Sequence, residues 1–229
     1  MRRFVIGDIH GAFRALAQCF ERSGFSKEND LLVCLGDICD SWPEVNLVIE
    51  TLLDIKHLVL LLGNHDLWAL DWFRYRRAPD IWLVQGGQAT CASYPDQVPE
   101  THIRLLSEAK HYHVLNRTLF VHGGILTDVP LENQQLQTFI WDRSLVQSAL
   151  DCYFSERVMN ITGWEAVYVG HTPTLKYGQL TPIKACEVTM MDTGAGWPGG
   201  VLTMMDLGSG NIFQSDPVDS LYPGEKGRS

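Results

Sequence analysis

A chain of 229 residues with 45% hydrophobic composition is long enough to bury a full core, and this length fits one α/β domain. Its net charge of -9, with a pI near 5.3, speaks against general nucleic-acid or anionic-membrane binding, because those partners reward a basic face. No apolar run is long enough to span a bilayer, and the six cysteines, none in a Cys-x-x-Cys pair, read as buried thiols of a reducing cytosol.

The apolar run Phe4 to Ile6 leads at once into Gly7-Asp8-Ile9-His10-Gly11, which leaves no room for a signal peptide, so the expected location is cytoplasmic. Ala12 to Gly24 reads as a helix, with Phe13, Leu16, Ala17 and Phe20 at helical spacing and Gly24 as its stop. A second strand-like run, Leu31 to Leu35, ends at Gly36-Asp37-Ile38-Cys39-Asp40. Pro43 then starts a helix that carries Val45, Val48, Ile49, Leu52 and Ile55 on one face. A third run, Leu58 to Leu62, ends at Gly63-Asn64-His65-Asp66. This β-α-β-α-β opening predicts parallel strands with right-handed crossovers, and functional residues just beyond the strands' carboxyl ends.

Beyond this the pattern weakens. A Trp-rich, basic helix-like piece (Leu67 to Arg77), a turn at Gly86-Gly87, a proline-containing loop and another helical stretch suggest a cap inserted at about residues 67–110 in a single domain of residues 1–219. Leu119 to Val121 precedes His122-Gly123-Gly124, and Ala166 to Val169 precedes Gly170-His171. The runs Val188 to Met191 and Val201 to Met205, with turns at Gly199-Gly200 and Gly208 to Asn211, predict hairpins and a second, mixed sheet in the C-terminal part. Residues 220–229 read as a loose tail.

Each polar cluster alone reads as a turn; five in order at strand ends read as a two-metal hydrolase. In an extended segment residues two apart share a face, so Asp8 and His10 can hold one ion together while Ile9 points into the core. Asp37, ending a buried strand, is the carboxylate best placed to bridge two ions. Asn64 offers a neutral carbonyl oxygen, and His122 and His171 offer imidazole nitrogens. Such donors suit hard or borderline divalent ions: manganese first, with iron or zinc as alternatives. Two ions bring four positive charges, of which Asp8, Asp37 and a bridging hydroxide remove three. The centre stays positive, as a phosphate site requires.

The series GDIHG, GDICD, GNHD, HGG and GH resembles the calcineurin-like metallophosphoesterase superfamily, and within it the PPP-type serine/threonine protein phosphatases of bacteria and phage. The resemblance runs to about Gly200. It implies a four-layer α/β/β/α sandwich of two mixed β-sheets, one metal on Asp8, His10 and Asp37, and a second on Asp37, Asn64, His122 and His171. It also implies His65 as the acid for the leaving group, oriented by Asp40, and phosphoester hydrolysis by a hydroxide bridging the two metals. Gly86 to Thr90 with Ser93-Tyr94, Trp141-Asp142-Arg143 and Asp192 to Ala195 are similar to bacterial members. Arg143 and Asn64 are the expected phosphate-contacting residues, and Asp192 an outer support or turn former.

The departures bear on substrate. The second motif continues Asp40-Ser41-Trp42 where these phosphatases have Asp-Arg-Gly, so a phosphate-clamping arginine is missing. Leu62 stands where arginine is frequent, and Asp66 where glutamate is common. Arg74, Arg76 and Arg77 are candidate substitutes, against the simpler reading of an exposed basic helix face. The expected substrate is a phosphoprotein or a small phosphorylated molecule, with no nucleic-acid or membrane partner. The main alternative is a symmetrical diadenosine tetraphosphate hydrolase. A non-catalytic scaffold of this fold would be marked by lost ligands, and none of the six is missing.

Overall fold

Strand β1 (Arg3–Ile6), helix α1 (Phe13–Ser23), strand β2 (Leu31–Cys34), helix α2 (Val45–Leu53) and strand β3 (His57–Leu60) follow one another as the hydrophobic pattern predicts. The computed structural model describes residues 1–157 and 159–228. Helix α1 stops at Gly24, which sits at φ 60° and donates its N–H to the carbonyls of Phe20 and Glu21. The three strands pair in parallel, Phe4 beside Leu32 and Leu32 beside Leu58.

Between β3 and β4 (Tyr112–Leu115) run α3 (Asn64–Tyr75), the single turn α4 (Asp80–Trp82), α5 (Gln88–Ser93) and α6 (Glu100–Ser107). Helix α3 begins three residues before the apolar pattern does, because the third motif is itself its first turn. The Asp66 carboxylate reaches back to accept the Gly63 N–H (3.1 Å). Strand β5 (Thr118–Val121), helices α7 (Leu136–Trp141) and α8 (Ser144–Phe154), and strands β6 (Ala166–Val169), β7 (Ile183–Ala185) and β8 (Val188–Met190) come next, followed by β9 (Thr203–Asp206), β10 (Ile212–Gln214) and α9 (Val218–Leu221).

The strands form two mixed five-stranded sheets, ordered β10-β9-β1-β2-β3 and β4-β5-β6-β8-β7. The Gly208 to Asn211 hairpin forms as expected, but its strands do not extend the second sheet. β9 returns to pair antiparallel with β1 (Val5 opposite Met205), because Leu202 and Met204 are buried in the first sheet's core rather than the second's. The sheets alternate strictly. Phe4, Ile6, Leu32 and Cys34 face outward into the core shared with the flanking helices, while Val5, Val33, Leu35 and Leu61 face inward against Phe120 and Met191 of the other sheet. On the far side, Leu119, Val121, Val167 and Val169 pack beneath Phe139, Ile140, Leu145 and Leu150. The result is a four-layer α/β/β/α sandwich.

Phe120 is fully buried between the sheets and stacks on Tyr168 at 5.3 Å. Phe120→Ala should therefore cost about 3–5 kcal/mol of stability, read as a lower denaturant midpoint at unchanged m-value.

Residues 220–228, expected as a loose tail, are held against the domain, and Ser229 lies outside the described residues. Tyr222 is 2% exposed, stacks on Trp42 at 5.2 Å and accepts a hydrogen bond from the Arg14 N–H (3.0 Å). A buried aromatic with a satisfied hydroxyl anchors this segment as a core side chain would. All six cysteines are free, and Cys19, Cys34, Cys39 and Cys152 are buried. No helix among the described residues is long and apolar enough to cross a membrane.

Candidate metal centre

The polar clusters meet because strand ends meet. β1 and β2 are neighbours in one sheet, and the loops beyond them interlock: the N–H groups of Ile9 and His10 both donate to the Asp37 carbonyl, at 3.0 and 2.9 Å. β5 and β6 are neighbours in the other, and Gly170 N–H donates to the His122 carbonyl (2.9 Å). The two sheets face each other, so both pairs of loops open onto one cleft.

Asp37 lies at its centre. One carboxylate oxygen, Oδ1, accepts the His65 N–H (2.9 Å), while Oδ2 lies 3.3 Å from His122 Nε2 and 3.9 Å from His10 Nε2. Asn64 Oδ1 is 3.2 Å from His122 Nε2. The ligand atoms of His10, Asp37 and His65 lie within 4.8 Å of one another, as do those of Asp37, His122 and His171. Asp8 is turned differently, with both carboxylate oxygens accepting the His171 N–H (3.0 and 3.2 Å). Glycine at 63 is a steric requirement, since a Cβ there would fall 2.0 Å from Asp37 Oδ1.

The surroundings prepare the imidazoles as ligands. His10 Nδ1–H donates to the Cys39 carbonyl (3.0 Å) and His122 Nδ1–H to the Leu35 carbonyl (2.8 Å), which turns each Nε2 toward the Asp37 carboxylate. His171 Nε2 is buried without a hydrogen-bond partner among the described residues. An orphaned nitrogen costs about 1–3 kcal/mol unless something coordinates it. Five non-glycine residues here, His10, Asp37, Asp40, Ser41 and His171, have φ between 48° and 75°. Each costs about 1 kcal/mol or more, and such strain gathers where side-chain aim matters.

The electrostatics of the protein's own groups point the same way. Burial, then repulsion from Asp192 and Asp37, pushes Asp8 well above the usual carboxylate range. Burial and Asp37 likewise push Asp66 up to about 6, and burial aided by Asp37 takes Asp192 up to about 6. Asp37 is also desolvated, yet His122 and His65 hold it well below the usual range. Burial brings His10 down to about 3 and His171 down to about 2, whereas His122 is raised because Asp37 outweighs its burial. Four carboxylates crowded out of water, with neutral imidazoles among them, fit divalent cations.

Beside this cluster, His65 Nδ1–H donates to Asp40 Oδ2 (2.6 Å). The same oxygen accepts Trp82 Nε1–H (2.7 Å), and Asp40 Oδ1 accepts the Thr90 hydroxyl (2.6 Å). Thr90 lies in the Gly86 to Tyr94 stretch, so the helices between β3 and β4 hold the carboxylate that holds His65. In sequence, Asp66 shows only as a departure from glutamate. Its Oδ1 accepts the N–H groups of Ile38 and Cys39 (2.8 and 3.1 Å), tying the second motif to the third. Its place at the third position of α3, after Gly63, was the available signal.

Arg143 is exposed and lines the cleft with Trp141, Lys176, Trp197, Gln85 and Arg228. The other basic candidates do not reach it: Arg74 donates to Ser107 Oγ, Arg76 lies over Trp72, and Arg77 pairs with Asp71. His102 is buried against the Tyr94 hydroxyl (2.8 Å), and His113 lies beside Phe120, as packing residues do.

A family model described as calcineurin-like phosphoesterase matches residues 1–188. Among curated relatives, the serine/threonine-protein phosphatase 1 of Salmonella typhimurium is 29% identical over 213 residues, covering 88% of this chain and 89% of that protein. The asymmetrical bis(5'-nucleosyl)-tetraphosphatase PrpE of Bacillus cereus is 27% identical over 230 residues, covering 89% of each. The crystal structure of a candidate diadenosine tetraphosphatase superposes with a TM-score of 0.69 at 18% identity, covering 94% of this chain and 93% of that one, a likeness of fold. All five motifs belong to one cleft, and the family match spans every one of them, from residue 1 past His171. The chain belongs to the calcineurin-like phosphoesterase family, whose members are metal-dependent hydrolases.

Proposed function

We propose that this protein hydrolyses phosphoserine and phosphothreonine esters of proteins, with one divalent ion on Asp8, His10 and Asp37 and a second on Asp37, Asn64, His122 and His171. The observation that carries the reading is Asp37: one carboxylate shared by two imidazole clusters, next to the buried His65–Asp40 pair. Manganese is the favoured ion, and iron or zinc suit the same donors. Bound divalent ions supply a nucleophile at neutral pH and polarise phosphoryl oxygens. His65 gives a proton to the leaving oxygen through Nε2, while Asp40 holds its Nδ1–H and so fixes the ring. Arg143 and Asn64 orient the phosphoryl oxygens.

The free cavity among these side chains is about 40 Å³, far below the roughly 300 Å³ of sites that enclose a whole small molecule. A site that takes in the phosphoryl group and leaves the rest outside suits a protein substrate. A dinucleoside tetraphosphate hydrolase is the second reading, favoured by the PrpE relative of nearly equal identity. Phosphate release from phosphoserine, phosphothreonine and phosphotyrosine peptides should be measured beside diadenosine tetraphosphate cleavage, with manganese and after chelation. Metal-dependent preference for the first two peptides is expected. Preference for the dinucleotide would move the protein to the second reading.

Metal binding should depend on pH. Asp8 and His122 hold protons more tightly than usual in the metal-free protein, and both must lose them to coordinate. His10 and His171 are already neutral above about pH 3 and so do not compete. Affinity for manganese should therefore keep rising as pH climbs past the ordinary carboxylate range and through the ordinary histidine range, with protons released on binding. Calorimetry in buffers of different ionisation heat reads both effects; a flat affinity with no proton release would refute the assignment.

A further inference from the structure

The second motif lacks its arginine at Ser41, and Arg74, Arg76 and Arg77 are engaged elsewhere. We propose that Arg228, carried into the cleft by the segment after α9, is the residue that binds the substrate's phosphoryl group in place of the missing clamp. The assignment deepens the hydrolase reading and rests on it.

Arg228 is built into the site. Its guanidinium Nη1 donates to His65 Nε2 (3.0 Å), Nη2 donates to Gln85 Oε1, and the group lies over Trp197 with its carbon 4.7 Å from the ring centroid. Its backbone N–H donates to the Gly196 carbonyl (2.9 Å). The segment leading to it is placed with similar care. Trp42 donates Nε1–H to the Ala195 carbonyl (2.7 Å) and presents its ring both to Tyr222 and to Gly227. Gly227 has φ 60°, and a Cβ there would fall 2.6 Å from Trp42 Cζ2, so this position demands glycine twice over. Ser41 and residues Gly224 to Gly227 line one and the same surface groove.

Charge and donor count point to an anion. A guanidinium has five N–H donors, and two have partners here among the described residues. No carboxylate of a described residue lies within 4.0 Å of it. A half-buried arginine with no carboxylate of a described residue in direct contact, drawn only at longer range by Asp37, Asp192 and Asp40, has more to gain from phosphoryl oxygens, which carry charge and can take two of its N–H groups in parallel. It stands next to the nitrogen assigned to protonate the leaving group. When phosphoryl oxygens take the guanidinium as their donor, His65 Nε2 is released from it and can take up from water the proton it gives to the leaving group.

The test compares full-length wild type, Arg228→Ala, Arg228→Lys and Gly227→Val, each loaded with manganese, with inorganic phosphate as the calorimetric probe. Arg228→Ala should weaken phosphate binding about 10- to 100-fold and raise KM for phosphopeptide, with metal content and Tm unchanged. Arg228→Lys should recover part of the loss, and Gly227→Val should reproduce it while the arginine remains. Unchanged phosphate affinity in both Arg228→Ala and Gly227→Val would overturn the proposal. Tighter binding or faster turnover on removal would also overturn it, marking the segment as a plug. Wild type that binds phosphate through Arg228 but cleaves no substrate would count against the hydrolase reading and leave Arg228 in place.

Discussion

Asp37→Asn should lower kcat/KM by about 10³-fold or more and leave the protein without its metal. A single lost electrostatic contact in a catalytic site costs about 10²–10³-fold, and this change removes the one carboxylate shared by both clusters. The substitution isolates charge from shape. Asparagine can still accept the His65 N–H through its carbonyl oxygen, as Asp37 Oδ1 does, so the start of α3 keeps its anchor. The metal-free variant should not be destabilised through its carboxylates, because Asp37 is one cause of the raised pKa of Asp8, Asp66 and Asp192. In wild type, manganese at 100 times its Kd should add about 2.7 kcal/mol of stability. In Asp37→Asn it should add almost nothing. A variant that keeps two ions per chain and turns over normally would refute the bridging assignment.

His65→Asn should show the opposite pattern, with metal content unchanged and kcat lower by about 10²–10⁴-fold on a phosphoserine substrate. The asparagine amide can keep a hydrogen bond to Asp40, whose carboxylate remains held by Trp82 and Thr90. The deciding comparison is between leaving groups. Phosphoserine leaves as an alkoxide that needs a proton, while p-nitrophenyl phosphate leaves as a stable phenolate that does not. The variant should lose far less rate on the second substrate. An equal loss on both would mean that His65 supports the metal site rather than donating a proton, a role its closeness to His10 and Asp37 also permits.

Local pattern carried the strands whose two faces are both buried. β1, β2, β5, β6 and β8 read as apolar runs because one side chain in two feeds an outer core and the next the inter-sheet core. β4, β7 and β10 did not stand out. They are edge strands, as β3 is, but residues such as Val114, Lys184 and Ile212 reach solvent and break the run, whereas no residue of β3 is fully exposed. The hairpin of β9 and β10 was legible from its turn, but its sheet was not. Pairing with β1 is settled by contacts about two hundred residues apart along the chain, to which a local window is blind.

The site divides in the same way. That Asp8, His10, Asp37, Asn64, His65, His122 and His171 belong to one candidate site was legible in the sequence, because a polar residue beyond a strand's end needs only a strand, a glycine and itself, all written within a few positions. What tertiary structure alone decided is how these residues are held and what stands opposite them. Asp66 ties loops 27 and 28 residues apart, Thr90 reaches Asp40 across 50, and Arg228 reaches His65 across 163. Donor and acceptor geometry at such separations depends on packing, and packing is a property of the whole chain rather than of any stretch of it.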